Sequence, residues 1–247
     1  GVSAIVLFQT VSTDVELRDS VGDLIVGSGA TIELQTGSNG EYLPMGTGSL
    51  DAGMSDTLEL LPVKHRFRAN HLGVDQVVQQ DLSVDSLVVF QTVPFQIELR
   101  NSEGLLIENS AATIVWRPGN SGDFVDFGDG VLDDTGSENF EAFGVKHRFK
   151  MTHDRASQTI AQNVADVSTV LFQTVVATVE LRDHEGALVG ESGATVRWRP
   201  AGSDGFEGFG SGVLAADGTL SQDVFAANHR FRLSYEGETE TQTQDVA

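Results

Sequence analysis

The feature that most restricts this chain is a hexapeptide that returns at a fixed interval. "VLFQTV" stands at residues 6–11, "VVFQTV" at 88–93 and "VLFQTV" at 170–175, each 82 residues after the last. A fixed period of this length marks a repeat architecture. The 247 residues are read as Gly1 followed by three copies of one unit. The register holds without a gap. Phe8, Phe90 and Phe172 align, then Arg18, Arg100 and Arg182, then Gly22, Gly104 and Gly186. "HRF" recurs at 65–67, 147–149 and 229–231.

Within a repeat the pattern is that of strands. "TVELRD" (178–183) alternates apolar and polar residues, with Val179 and Leu181 on one face and Glu180 and Arg182 on the other. "HEGAL" supplies a glycine turn, and "ATVRWRP" alternates until Pro200. The "GFEGFGSGVLAADGTL" region reads as a hairpin around Asp217-Gly218. "NHRFRLSYEG" is the clearest strand, "ETQTQDV" a more polar one, and no segment sustains a 3.6-residue period. About seven short strands per repeat predict an all-β chain of three small antiparallel Ig-like sandwiches in tandem. The expected divisions are 1–83, 84–165 and 166–247, with a phase that can move by about ten residues at the FQTV strand.

Composition narrows the function. The 36 acidic and 15 basic residues give a net charge of −21, spread as −7, −6 and −8 over the three repeats. Such a field repels nucleic acid and anionic membrane. The absence of cysteine excludes disulfides, thiolate metal sites and cysteine nucleophiles. No stretch approaches the ~18 apolar residues of a membrane span, so no membrane insertion is expected. Any export signal is expected outside these residues.

The run "VELRDHEGALVGESGATVRWRP … GFGSGVLAADGTLSQDVFAANHRFRLSYEG" resembles the transthyretin-like sandwiches. These include carboxypeptidase regulatory-like domains and the B-type repeats of bacterial collagen adhesins. All three repeats fit in outline; the first departs at "LDAGMSD", where Met54 stands at the position of the turn glycine. The resemblance implies extracellular or cell-surface display, stalk spacing or adhesion, without catalysis. Some adhesin repeats of that type carry a lysine–asparagine isopeptide bond. The lysines here are Lys64, Lys146 and Lys150, none in the third repeat, so a repeat-wide isopeptide is excluded.

Several residues invite chemical readings. His65 and His71, like His147 and His153, share a strand face with Phe67 or Phe149, which admits either metal ligation or a packed core-edge ring. Tyr235 replaces the second histidine in the third repeat, which favours packing and an expectation of no metal. The opposite face carries Arg66, Arg68, Arg148, Lys150, Arg230 and Arg232, expected to pair across strands with Glu16, Glu98 and Glu180. Asp123, Asp126 and Asp129 read as a solvated hairpin or as a calcium site confined to the second repeat. Trp116 and Trp198 read as core residues or as a sugar-stacking platform. No nucleophile elbow, phosphate loop or zinc-protease helix occurs, so neither catalytic residues nor a cofactor are expected.

The hexapeptide itself raises a question of length. "LVVFQTVPFQIELR" (87–100) is 14 residues of extended pattern, about 46 Å, against a diameter of about 30 Å for a domain of this size. Its halves are therefore expected to serve two neighbouring repeats, giving a stiff rod. The junction and self-association residues expected on this ground are Val6, Leu7, Phe8, Gln9 and Thr10, with Val88, Phe90, Val170 and Phe172. The sequence thus predicts a stalk or spacer of a secreted prokaryotic surface protein, its partner being itself, with copies adding head to tail by strand addition. A carbohydrate- or protein-binding module is the alternative.

Overall fold

The computed structural model describes residues 5–35 and 40–246; Gly1–Ala4 and Ala247, the outer ends of the first and third repeats, lie outside them with 36–39. Among the described residues there is no α-helix. The first repeat contributes β1 (Val11–Arg18), β2 (Thr31–Gln35), β3 (Tyr42–Ser49), β4 (Leu58–Leu60), β5 (Lys64–His71) and β6 (Val74–Asp81). A long β7 (Leu87–Arg100) leads into β8 (Thr113–Arg117), β9 (Val125–Val131), β10 (Ser137–Phe143), β11 (Lys146–His153) and β12 (Ala156–Asn163). A second long strand, β13 (Thr169–Glu180), precedes β14 (Thr195–Pro200), β15 (Glu207–Val213), β16 (Thr219–Phe225), β17 (Ala227–Tyr235) and β18 (Glu238–Val246).

Each repeat folds its middle strands into one four-stranded antiparallel sheet: β3-β2-β5-β6, then β9-β8-β11-β12, then β15-β14-β17-β18. The remaining strands form a single six-stranded sheet, in the order β16-β13-β7-β1-β4 with β10 also on β7. The side chains buried between these layers gather in three clusters. Val15, Leu17, Phe67 and Leu50 centre the first, Phe95, Trp116, Phe127 and Phe149 the second, and Trp198, Phe209 and Val224 the third.

Local chemistry explains the repeated turns. After β1, Gly22 adopts φ +96° and donates its N–H to the Asp19 carbonyl, while Arg18 donates to the Gly22 carbonyl. Gly104 and Gly186 repeat this with φ +85° and +87°, a region closed to most L-residues. The first repeat's anomaly at Met54 resolves by a one-residue shift. Gly53 donates to the Leu50 carbonyl and accepts from Leu17 N–H, as Gly136 and Gly218 accept from Leu99 and Leu181. The same turn, an N–H bonded to the carbonyl three residues back, closes one residue earlier, and the glycine moves with it.

Candidate functional site

The register of the long strands decides which core owns the hexapeptide. Residues Leu87–Gln91 pair in parallel with Asp14–Arg18 of β1, matching Val88 with Val15 and Phe90 with Leu17. From Thr92 onward β7 turns to other partners: Thr92–Glu98 pair antiparallel with β10. β13 repeats the device, with Thr169–Gln173 parallel to Gln96–Arg100 and Thr174–Glu180 antiparallel to β16. Each long strand therefore closes one core and opens the next. The change of partner falls at Gln91–Thr92 and Gln173–Thr174, eight residues past the 83/84 and 165/166 divisions.

Side-chain alternation along these strands follows from the pleat. Val88, Phe90, Val170 and Phe172 point inward and are 0% exposed. A second aromatic residue comes from the far side of each junction. Phe143, at the end of β10, packs 6.3 Å from Phe90 and edge-on to His71 at 5.7 Å, inside the first cluster. Phe225 meets Phe172 at 6.4 Å and His153 at 6.0 Å, inside the second. Edge and tilted pairs of this kind contribute about 0.5–1.5 kcal/mol each beyond their area.

Polar bonds fix the same register. Thr92 donates its hydroxyl to Glu141 at 2.7 Å, with the Arg18 carbonyl 3.5 Å from the same oxygen, and Gln91 Nε2 donates to the Asp19 carbonyl at 3.1 Å. Ser20 gives Glu141 both its N–H and its hydroxyl. Burial works to raise the Glu141 carboxyl, but the bonds from Ser20 and Thr92 outweigh it and hold it below the usual range. At the second junction Gln173 donates to Asn101 O, Thr174 to Arg100 O, and Ser102 N–H to Asp223.

The outer copies of these features are open. Residues 5–10 form no strand, and Ile5, Val6, Leu7 and Phe8 are all exposed, Phe8 by 80%. In the third repeat, residues 178–182 bond to β16 and its preceding turn on one side. Their other edge has no strand against it among the described residues. Val179, Leu181, Phe231 and Leu233 are consequently only half-buried, whereas Val15, Leu17, Phe67 and Ala69 are 0% exposed. Two adjoining hollows of about 470 and 260 Å³ run along this edge, both reaching Phe231 and Gln242.

The chemically suggestive residues are placed as follows. Trp116 and Trp198 are 4% and 3% exposed, Trp116 at 5.1 Å from His147 and Trp198 at 5.0 Å from His229. Neither presents a ring face to a glycan, so the platform reading is withdrawn: strand alternation turns both rings into the core. His65, His147 and His229 each place Nε2 within 2.8–3.0 Å of a carbonyl four residues back, those of Leu61, Phe143 and Phe225. At His147 the other ring nitrogen accepts the Gly119 N–H, and burial lowers its pKa. These rings brace the short crossings from β4, β10 and β16 in one layer into β5, β11 and β17 in the other.

Asp123, Asp126 and Asp129 are exposed and do not converge; among the described residues no group of three or more carboxylate or histidine side chains could hold a metal. The solvated reading of these three fits their exposure. The cross-strand pairing of the basic face is corrected. Glu16, Glu98 and Glu180 pair with Arg18, Arg100 and Arg182 of their own strands at 2.5–2.7 Å, because the basic strands lie in the opposite layer. Arg68 instead takes Glu33 and covers the Tyr42 ring at 4.3 Å, and Arg232 covers Phe206 at 3.9 Å.

No family model and no curated protein matches the chain. Among solved structures it is similar to the Bacillus anthracis TIE protein, at 10% identity and a TM-score of 0.26, over 97% of this chain and 49% of that one. A streptococcal ancillary pilin is similar at 8% identity and a TM-score of 0.26, over 94% and 95% of the two chains. The major pilin subunit of Bacillus cereus is similar at 8% and 0.23, over 97% and 96%. The chain spans about half the length of the first of these. Likenesses at such TM-scores carry no argument about family or activity. No helix among the described residues is long and apolar enough to cross a membrane.

Proposed function

We propose that this chain is a non-catalytic spacer: three sandwich modules, coupled with no free linker, that form a stiff stalk segment of a secreted surface protein. The observation that supports it is the double service of β7 and β13. A hinge between modules would have to break the parallel ladder at one half of a strand or withdraw Phe143 or Phe225 from a neighbouring core. Either motion exposes buried aromatic surface, which costs about 25 cal/mol per Å².

The even negative charge suits such a role, because self-repulsion keeps an extended, displayed chain soluble. His65, His147 and His229 brace the crossings between layers, and His71 and His153 pack at the junctions. Small-angle scattering at low protein concentration tests the reading. A pair-distance distribution of one elongated rigid body is expected; a profile of freely jointed beads would overturn it. Inserting Gly-Gly-Ser between Gln91 and Thr92 should convert the first profile towards the second.

A further inference from the structure

Resting on the spacer reading, we propose that residues 5–9 of one copy fill the open edge of the third repeat of another, adding head to tail. The pairing would be parallel, with Val6 opposite Val179 and Phe8 opposite Leu181. The two intrachain junctions prescribe this register. Leu87–Gln91 and Thr169–Gln173 seat on Asp14–Arg18 and Gln96–Arg100, and the 82-residue phase maps them onto 5–9 and 178–182.

The complementarity extends past the backbone. Val6 and Phe8 would cover Val179, Leu181, Phe231 and Leu233, the positions that Val88 and Phe90 cover in the first repeat. Gln9 would donate to the carbonyl of Asp183, as Gln91 does to that of Asp19. Thr10 already donates to Glu59 at 2.7 Å, the bond that Thr92 makes to Glu141. Glu59 then stands ready for the His184 N–H of the second copy, as Glu141 receives that of Ser20.

Leu61 is 48% exposed and aligns with Phe143 and Phe225. It would sit between Phe8 of its own copy and Tyr235 of the other, which explains a tyrosine where the inner repeats have His71 and His153. One difference weakens the contact: Gln242 stands where Val78 and Ile160 line the inner grooves. The two surfaces lie on different parts of the molecule, so the contact is heterologous; on the stiff spacer proposed above it cannot bend back into a ring, and the product is an open filament.

Sedimentation of the full chain over a wide concentration range tests the assignment. Mass is expected to rise beyond the dimer, and Phe8→Asp, at an exposed position, should abolish the rise without shifting the melting temperature. Hydrogen exchange should slow at 178–182 as the wild-type chain associates. Appending a copy of residues 166–175 after Ala247 supplies the covering strand within the chain and should also abolish association. A mass that stays monomeric, stops at the dimer, or grows equally with Phe8→Asp would overturn the proposal. So would growth that survives the appended strand. A groove protected by the appended strand while the wild-type chain remains monomeric would assign the site to strands of its own chain. Scattering by the monomeric Phe8→Asp variant reads the spacer proposal separately: a stiff variant beside a wild-type chain that never associates overturns only the filament, and a jointed profile only the spacer.

Discussion

Phe90 and Phe8 share a sequence context and differ completely in surroundings. Phe90 is 0% exposed beside Leu17 and Phe143, and Phe8 is 80% exposed on a segment outside any strand. What distinguishes them is whether the chain places an open parallel edge within reach. Residues 88–91 follow β6 by a short turn and return to β1; the described structure offers residues 5–9 no such edge. An apolar strand is a core element only where a groove receives it.

The largest expected effect tests that contrast directly. Phe90→Ala or Phe172→Ala should cost about 3–5 kcal/mol in urea unfolding, while Phe8→Ala stays within about 0.5 kcal/mol for the monomer. Equal losses would mean that Phe8 is buried in solution. Next is the aromatic clasp from the other side of the junction. Phe225→Ala should also cost about 3 kcal/mol and should speed exchange at 169–173, whereas Leu61→Ala leaves the monomer nearly unchanged. A third comparison sets the closed edge against the open one without any substitution. Exchange in the isolated monomer should be faster along 178–182 than along 14–18, since unpartnered edge amides face water.

A smaller effect concerns pH. Glu138 is pushed up to about 7, first by burial and then by Asp133 and Asp129. A carboxyl raised in the folded state favours folding below its ordinary value of 4.5, and that contribution is lost as pH rises through 7. Stability of the second repeat should therefore fall across this window, and Glu138→Gln should flatten the fall and exceed the wild type at pH 8. Glu141 runs the opposite way: held low, its contribution is present above 4.5 and lost on acidification. Glu141→Gln should weaken the first junction slightly and reduce its acid sensitivity, read by exchange at 87–91.

The sequence determined a great deal alone. The 82-residue phase, the alternation in "VELRD" and "HRFR" and the glycines after Arg18, Arg100 and Arg182 specify strands, faces and turns, because period and turn chemistry are local. The length of 87–100 even required that strand to serve two places. Neighbours were another matter. Period-2 patterning tells which way a side chain points and not which strand lies beside it. Hence Glu16 could be assigned a cross-strand arginine when its partner is Arg18. The rings of Trp116 and Trp198 could likewise be offered to a ligand when they face His147 and His229. The i to i−4 histidine bond and the clasp of Phe143 on His71 were also illegible, although the recurrence of Phe143 as Phe225 was a signal. Only the tertiary structure decided that "FQTV" straddles the junction, with Phe90 closing the core before it and Thr92 and Val93 pairing into the next. That ownership comes from a parallel pairing between residues more than 70 apart, and contacts so distant leave no mark on local pattern.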